Sequence, residues 1–503
     1  MSVFKKCKLL ALVYFLSFGA PGLQASWTPT QFFTVGDTGA SPDVGVDPGG
    51  NAIAVFVNTG LGGVIEASQF DPETNTWGTP FQISIPQETG KDAPAIGMSE
   101  QNLAYVIQRD QTKPAIEFSQ LNQSGWNSGI AYSDSGTLSK PSIAASGTGQ
   151  FAAAWISSVN GVQALAINGV SLSALQVLDS SATSTTDLVS VAVNNSGTAV
   201  AAWLGSNGNI RYSLYSGGVW SPALDVTSEK PNQYPSVGID DSGNVVFVWK
   251  RESVIWANQL YKGQLFHSQK ISNKKIAAVS GPLCAVDKTG IALSIWLDED
   301  NNVAFSYFDG KEWSHGVAGI AEPTSVLSLT KDDNKNFFAE WSYNAGSVHE
   351  IRSAYFNPGL GWSQTETAAT SSLALRNPRG ALSSLNHTAF AVFESGGNTD
   401  AAGTFSLLAV PPSPPAEIQG RVKKDRFPCQ TDRIHIVSWS ATDDPTAVAY
   451  RFREGTKLVG QFPLTGPFRL DFHNRDRKKE VTYKVSTVNS LGVEGAPITI
   501  ELR

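Results

Sequence analysis

Acidic side chains in two neighbouring repeats of the sequence are the residues best suited to chemistry. Glu340 stands directly before Trp341, where other copies of the same segment carry apolar residues, namely Val55, Ala154, Ala202, Val248, Ile295 and Val392. A carboxylate inside a strand needs a partner or a raised pKa, and such groups are enriched at functional sites. Together with Asp298, Glu299 and Asp300 of the preceding copy, Glu340 is a candidate for acid–base cleavage of a glycosidic bond. A structural ion pair or a locally hydrated strand is the preferred explanation of Glu340.

Charged residues follow the same hairpin in four copies, where other copies have small polar residues. The candidates for ligand contact are Arg109, Arg251, Glu252, His349 and Glu350. If these loops share one face, the fifth to seventh copies bring acids, an arginine and a histidine together. A solvated rim accounts for the same residues.

Metal and cofactor chemistry finds little support in the sequence. Asp47, Asp240 and Asp287 begin turns that suggest calcium, but the other five copies lack Asp there and no alternating run of oxygen ligands appears. We therefore interpret these aspartates as turn formers. No zinc spacing, nucleophile elbow or phosphate loop is present, so the sequence predicts neither a metal nor a cofactor.

The unit that must position these residues is a β-hairpin, seen most clearly in Tyr234–Trp249, YPSVGIDDSGNVVFVW. Alternation of apolar and polar residues, an Asp-Ser-Gly turn and a following apolar run predict two paired strands. Eight copies end on a large residue, namely Phe56, Val106, Trp155, Trp203, Trp249, Trp296, Trp341 and Phe393. The intervals of 50, 49, 48, 46, 47, 45 and 52 residues establish a repeat.

A second series of tryptophans, each opening a later strand, completes the repeat. It consists of Trp27, Trp77, Trp126, Trp220, Trp313 and Trp362. Four strands in about 48 residues are typical of one blade of a β-propeller. The fold class predicted is all-β: an eight-bladed β-propeller over residues 26–410, in which the N-terminal strand closes the last blade. An open array or two smaller rings is the alternative.

A Pro-rich linker at 411–415 separates this region from a smaller domain at 416–503. Its regularly spaced strands predict a β-sandwich. The charge also changes at this boundary. Residues 416–503 carry 15 Lys and Arg against 11 Asp and Glu, whereas residues 26–415 carry 19 against 33. The resulting net charges of +4 and −14 argue against nucleic acid as a partner of the larger domain.

Residues 1–25 have the pattern of a signal peptide, with Lys5, Lys6 and Lys8 before an apolar core. An uncleaved N-terminal anchor is the alternative. No later segment is long and apolar enough to cross a membrane. Cys284 and Cys429 fall in different predicted domains, so we expect both to be unpaired.

The pattern P-x-V-x-x-D-x-x-G-N-x-x-x-x-W, followed by a strand and G-W-S, resembles a repeat of secreted bacterial β-propeller proteins. Trp439, Tyr450 and Val481–Val485 make the C-terminal segment similar to a fibronectin type III domain. The first resemblance implies a fold and an exported protein, in the periplasm, on the outer surface or outside the cell. It implies no particular activity.

Three functions fit this sequence. The one preferred is a secreted, non-catalytic and monomeric binding protein, whose propeller face engages a protein or glycan and whose fibronectin-like domain is a spacer or second contact. A glycoside hydrolase or lyase using acids of the sixth and seventh blades is the second. A propeller lectin with several shallow sites is the third. A binding module predicts no deep, charged central pocket, whereas an enzyme predicts one charged cluster among uneven blades.

Overall fold

Strands make up the regular structure of the residues that the computed structural model describes, apart from single-turn 3-10 segments at Thr59–Leu61 and Glu100–Asn102. The described residues are 27–36, 38–229, 231–277, 281–359, 361–385, 388–396, 400–407, 412–426, 431–444, 447–466, 468–475, 479–489 and 494–503. The proposed signal peptide, Cys7, Pro411 and Cys429 lie outside them.

Within this part of the chain, eight antiparallel sheets precede residue 408. The first strand, β1 (Gln31–Phe32), belongs to the last sheet. Sheet 1 contains β2 (Gly39–Val46), β3 (Ala52–Asn58), β4 (Val64–Asp71), β5 (Thr76–Trp77) and β6 (Phe81–Gln82). Sheet 2 contains β7 (Lys91–Ser99), β8 (Leu103–Asp110), β9 (Ala115–Asn122) and β10 (Gly125–Ser133). Sheet 3 contains β11 (Ser142–Ala145), β12 (Gln150–Ser157), β13 (Gly161–Asn168), β14 (Ser171–Leu172) and β15 (Gln176–Asp179). Sheet 4 contains β16 (Ser190–Val193), β17 (Ala199–Leu204), β18 (Ile210–Ser216), β19 (Val219–Trp220) and β20 (Leu224–Asp225).

The second half repeats the same order of strands. Sheet 5 contains β21 (Asn232–Ile239), β22 (Val245–Arg251), β23 (Val254–Tyr261), β24 (Gln264–Leu265) and β25 (Gln269–Lys270). Sheet 6 contains β26 (Leu283–Val286), β27 (Ala292–Leu297), β28 (Asn302–Phe308) and β29 (Trp313–Ile320). Sheet 7 contains β30 (Ser328–Lys331), β31 (Phe337–Asn344), β32 (His349–Asn357), β33 (Gly361–Trp362) and β34 (Glu366–Ser371). Sheet 8 contains β35 (Leu375–Leu382), β36 (Thr388–Ser395), β37 (Asp400–Leu407) and β1.

The eight sheets form a closed, propeller-like ring. The first strand of each sheet lies against the first strand of the next, and β35 of sheet 8 lies against β2 of sheet 1. The N-terminal segment completes sheet 8, because Gln31 pairs with Gly403 and Trp27 bridges to Ser406. This is the pairing that the sequence predicts, and it covers the outer edge of the last sheet.

Small residues allow the sheets to approach one another around the axis. The same register position of the eight first strands carries Gly45, Gly97, Ala144, Ala192, Gly238, Ala285, Thr330 and Ala381. A Cβ on Gly238 would lie 2.4 Å from Cγ2 of Val286 in the next sheet. A large side chain at this position would therefore force neighbouring sheets apart.

The turns that join first and second strands depend on side-chain capping. Asp240 accepts hydrogen bonds at 2.8 Å from both the backbone and the side-chain nitrogen of Asn244. Asp332 binds Asn336 in the same way, at 2.9 and 2.6 Å. Asp332 is thus a fourth copy of this aspartate, contrary to the prediction, and Lys335 adopts the positive φ of +66° that a glycine provides in sheet 5.

The inner aromatic series fills the interfaces between sheets, as the sequence predicts. Trp155, Trp203, Trp249, Trp296 and Trp341 are each 1% exposed or less. Sheet 2 departs from the predicted alignment: the strand register places buried Gln108, and not Val106, at the tryptophan position. Because Gln108 is polar, the sequence pattern does not identify it as the equivalent of the buried tryptophans.

The C-terminal residues form two further antiparallel sheets. Their strands are β38 (Ile418–Arg426), β39 (Thr431–Trp439), β40 (Ala447–Glu454), β41 (Lys457–Pro463), β42 (Arg469–Phe472), β43 (Val481–Asn489) and β44 (Ile498–Leu502). One sheet has the order β38-β39-β42 and the other β41-β40-β43-β44, and Trp439, Phe452 and Tyr483 belong to the core between them.

The predicted linker is partly attached to this C-terminal unit. Thr487 donates a hydrogen bond of 3.1 Å to the carbonyl of Pro412, and the Ser413 amide donates to Asp444. Cys284 is a free cysteine, and burial raises the pKa of its thiol to about 12. A search of the described residues found no helix with the length and apolar character of a membrane span.

Candidate functional site

The acidic candidates of sheet 6 form a turn and an ion pair. Asp298 is 1% exposed, and its Oδ1 accepts hydrogen bonds of 2.9 Å from the backbone nitrogens of Asp300 and Asn302. Asp300 binds Lys274 at 2.6 Å, whereas the Glu299 side chain is exposed. Asp298 thus caps the turn from β27 to β28, as an Asx residue does.

Glu340 lies in a different environment, sealed between sheets 7 and 8. It is 0% exposed, and neither carboxylate oxygen has a hydrogen-bond partner. Gly380 makes room for it, since a Cβ there would lie 2.6 Å from Oε2 of Glu340. Burial raises the pKa of Glu340 well above its ordinary value, and the charge of Arg379 opposes this only in part. Glu340 therefore stays protonated to a higher pH than an ordinary glutamate does.

The ligand-contact candidates all lie on second or third strands or the turns between them, at the end of the ring away from the first turns. Arg109 binds Asp92 at 2.8 Å and the carbonyl of Leu138 at 2.8 Å. Arg251 forms an ion pair with Glu229 and stacks over Trp256, with 3.3 Å between the guanidinium carbon and the ring centroid. These two arginines stabilise contacts within and between sheets.

The remaining candidates are similarly placed. Glu350 binds Arg352 at 2.7 Å, and Arg352 stacks over Tyr343. His349 is half-buried and pairs with Asn344 across the hairpin, while Glu252 is exposed at a positive φ of +57°. The structure thus brings these residues to one end of the ring, and each arginine is satisfied by a neighbour.

A buried ion network in sheet 2 was only partly visible in the sequence. Lys91 is 2% exposed, and its Nζ lies 2.9, 2.5 and 2.7 Å from carboxylate oxygens of Glu88, Asp110 and Glu117. Burial disfavours the charged forms, but hydrogen bonding outweighs it at two members of the network: the pKa of Lys91 is raised and that of Asp110 is lowered to about 2. At Glu117 burial prevails and raises the pKa. Lys113 also binds Glu88, at 2.7 Å. The protein's own ammonium groups occupy the position that a metal ion would take among these acids.

The first turns of the sheets are joined by a series of hydrogen bonds at one end of the ring. Hydrogen bonds run from turn to turn: Asn195 donates to Asp241 through its backbone and side-chain nitrogens, both at 3.1 Å. The Asp241 amide continues to the Lys288 carbonyl, and the Asp333 amide binds the Ser384 hydroxyl. These contacts fix the turns at one mouth of the axial channel.

A cavity of about 220 Å³ lies at this mouth, and all eight sheets contribute to its lining. Its polar and charged lining includes Asp47, Ser146, Asn194, Asn195, Asp241, Lys288, Lys331, Asp333 and Ser384. Sites that enclose a drug-sized molecule have volumes of about 300–1,000 Å³, so this recess holds one small group. A second cavity of about 360 Å³ adjoins it and shares Asp47 and Pro48.

Among the lining residues, the sequence predicts Asp47 and Asp241 as turn residues and predicts no role for the lysines. Their convergence depends on the closure of the ring. Lysines and aspartates line the axial cavity, so the central recess is charged but small, whereas a binding module predicts no deep, charged central pocket. The sequence signal that could have indicated this cavity is the variation among the eight first turns. Of the lysines, Lys288 of sheet 6 and Lys331 of sheet 7 line the cavity.

Comparisons with known proteins give weak structural similarities. No protein-family model and no curated protein matches this chain. A fungal alcohol oxidase in complex with copper has 11% identity and a TM-score of 0.43, covering 95% of this chain and 99% of its own. The Aleuria aurantia lectin in complex with a fucosylated GlcNAc has 12% identity and a TM-score of 0.35, covering 59% and 99%. An ulvan lyase has 11% identity and a TM-score of 0.39, covering 63% and 91%. At these values the neighbours assign neither a ligand nor a reaction, and the conclusion from the coordinates is an all-β chain with a propeller-like ring.

Proposed function

We propose that this chain is an exported, non-catalytic binding protein. Residues 26–410 would be an eight-bladed β-propeller that engages a glycan or a protein at the mouth of its axial channel. Residues 416–503 would be a fibronectin type III-like spacer or second contact, which their division into three- and four-stranded sheets supports. Export rests on the signal-peptide pattern of residues 1–25.

The observation that carries the proposal is the convergence of polar turn residues from all eight sheets on one cavity. A small recess lined by amide, hydroxyl and charged groups suits recognition of a polar ligand. The acids considered for catalysis do not form a general acid–base pair. Asp298 caps a turn, and Glu340 is buried between sheets without a hydrogen-bond partner. A general acid must reach the substrate within hydrogen-bond distance.

The test is a binding and turnover screen of the mature protein against neutral and acidic polysaccharides and immobilised cell-surface proteins. We expect saturable binding without release of reducing ends or unsaturated products. Turnover that Glu340→Gln or Asp298→Asn abolishes without unfolding the protein would establish the hydrolase or lyase alternative. Absence of binding to every probe would contradict the proposed function.

A further inference from the structure

The outer edge of sheet 5, residues 261–270, carries two exposed aromatic side chains. Tyr261 ends β23 and Phe266 directly follows β24, and their side chains are 46% and 53% exposed. The two ring centroids are 6.3 Å apart in an edge-to-face arrangement. Neither residue lines the axial cavity.

Tyr261 stands at a position that caps the outer turn in other sheets. Its equivalents by strand register are all polar, namely Asp71, Asn122, Asn168, Ser216, Asp309 and Asn357. Asp71 accepts a hydrogen bond of 2.8 Å from the Glu73 amide, and Asp309 accepts one of the same length from the Lys311 amide. A tyrosine cannot form this cap, because its hydroxyl lies too far from its own backbone.

Phe266 likewise replaces a small or polar residue of the repeat. Its equivalents are Gly78, Asn127, Ser173, Ser221, Ser314 and Ser363. The Ser221 hydroxyl accepts a hydrogen bond of 3.1 Å from the Leu214 amide, whereas the equivalent Gln259 amide is bonded to Oδ1 of Asn258 at 2.7 Å. At both positions a structural side-chain hydrogen bond of the repeat is given up for an exposed ring, which indicates a role in recognition.

The sequence around this aromatic pair is basic, although the domain is acidic. Residues 253–286 contain four lysines and no Asp or Glu, whereas residues 26–415 have a net charge of −14. Two of the four lysines lie beside the acidic turn of sheet 6. Lys274 pairs with Asp300 at 2.6 Å, and the carbonyl of Lys275 accepts a hydrogen bond from the Glu299 amide.

The other two lysines, Lys262 and Lys270, belong to the outer edge of sheet 5. Both are exposed, and neither pairs with a carboxylate among the residues that the structure describes. Nζ of Lys262 lies 5.2 Å from the ring centroid of Tyr261. The Lys262 amide bonds Asn244, which occupies both carboxylate oxygens of the buried Asp240. Both ammonium groups can therefore bind an anionic partner.

The neighbouring outer edges are not basic in this way. Asp225 of sheet 4 pairs with Arg211 at 2.9 Å. In the outer turn of sheet 6, Asp309 accepts hydrogen bonds from two backbone amides, and Lys311 is followed by the exposed Glu312. Of these three adjoining edges, that of sheet 5 combines exposed aromatic rings with lysines that no acid neutralises.

We propose that the outer edge of sheet 5 binds an acidic polysaccharide, at a site separate from the axial cavity. The apolar face of a sugar ring packs on Tyr261 and Phe266, and carboxylate or sulfate groups of the chain pair with Lys262 and Lys270. Exposed side chains that can bond sugar hydroxyls lie between the two lysines in the sequence, namely Gln264, His267 and Gln269. This inference goes beyond the proposed function, which places the ligand at the axial mouth.

A glycan fits this edge better than a lipid surface or an acidic peptide. Contact with lipid would bury the amides of Gln264 and Gln269 together with the two rings, and an amide without a hydrogen-bond partner is costly in hydrocarbon. A peptide anchors its own side chains in pockets of the receptor. Here the aromatic rings belong to the protein and are about half exposed, as a stacking surface requires.

The experiment measures binding of the mature protein to five probes. They are a short oligogalacturonate, the same oligomer with its carboxyl groups reduced, a sulfated heparin-derived hexasaccharide, a polyglutamate peptide and phosphatidylglycerol vesicles. We expect one of the acidic oligosaccharides to bind, more weakly as the salt concentration rises. The reduced oligomer should bind about tenfold or more weakly than the oligogalacturonate if the carboxylate is the group recognised.

The main variant is Tyr261→Asn with Phe266→Ser, which installs residues that other sheets carry at these positions. It should bind the acidic oligosaccharide about tenfold or more weakly, with an unchanged or higher urea midpoint. Lys262→Gln with Lys270→Gln should also weaken binding and reduce its dependence on salt. The matched control is Val219→Asn with Leu224→Ser, which removes two exposed apolar side chains from the outer edge of sheet 4 and should bind as the native protein does.

The outcomes separate this inference from the proposed function. Native affinity in the main variant, or an equal loss in the control, overturns the site on sheet 5 and leaves the axial mouth as the binding surface. Tighter binding of polyglutamate or of vesicles than of either acidic oligosaccharide overturns the glycan assignment. Failure of all five probes, with a ligand found in the broader screen, refutes the acidic polysaccharide alone. Acidic binding that the main variant abolishes supports the site on sheet 5, even where the axial mouth binds nothing.

Discussion

Glu340→Val should make the protein more stable, and increasingly so as the pH rises. Valine has a volume close to that of glutamate and occurs at the equivalent position in sheets 1, 5 and 8, as Val55, Val248 and Val392. The Glu340 carboxyl has no hydrogen-bond partner to lose. The substitution therefore removes an unsatisfied buried polar group, and it gives up only the contact of the carboxyl group at Gly380.

The pH dependence follows from the raised pKa. In the unfolded chain Glu340 ionises near its ordinary pKa of 4.5, whereas the folded protein keeps it protonated to higher pH. The contribution of Glu340 to the free energy of unfolding is thus fully present below pH 4.5. Above that pH it declines, by up to about 1.4 kcal/mol per pH unit, until the folded pKa is reached. The advantage of the variant over the native protein should therefore grow with pH from pH 5 upwards, at no more than this slope.

The assay is urea denaturation followed by tryptophan fluorescence at pH 5, 6, 7 and 8, comparing transition midpoints. Asp43 and Asp332 also have raised pKa values, through burial, but they affect both proteins equally. Glu340→Gln is the control, because it abolishes titration and keeps an unsatisfied polar group: its advantage should also grow with pH but stay below that of valine. A native–valine difference that is constant from pH 5 to 8 would refute the reasoning.

Three further predictions concern the architecture. Lys91→Met should destabilise the ring by about 3–5 kcal/mol at neutral pH, since it leaves buried carboxylates without their cation; an unchanged urea midpoint would show that the network contributes little. Deletion of residues 26–35 should lower the melting temperature and promote association through the uncovered edge of sheet 8; a monomer with an unchanged melt, by light scattering and calorimetry, would argue against closure by β1. Residues 412–503 expressed alone should unfold cooperatively in calorimetry, whereas a disordered fragment would mean that this unit needs the ring.

The repeat made the sheets predictable, because each strand carries its own alternation and each turn its own Asp or Gly. Prediction failed where a residue of another type performs the same role. Lys335 replaces the turn glycine at a positive φ, and Gln108 replaces the buried aromatic residue of sheet 2. Such substitutions keep the backbone path but remove the signal used for alignment.

The axial cavity could not be predicted from the sequence, for a different reason. Lys288 and Lys331 appear as ordinary solvated residues in their own repeats, and only closure of the ring brings them to one recess. The charged loops after the second strands were predicted as contact residues instead. Their density of charge reflects ion pairs such as Arg109 with Asp92, which hold the far end of the ring together.

The pairing of β1 with β37 also has a kinetic meaning. Gln31 meets Gly403, so the partners are 372 residues apart along the chain. Loop-closure entropy rises slowly with length, but contacts this remote slow the search for the native state. During synthesis Phe32 and Phe33 emerge early and have no partner strand until the last repeat is made. Closure of the ring must therefore be a late event in folding, and until it occurs the edge of sheet 8 is open to pairing with another chain.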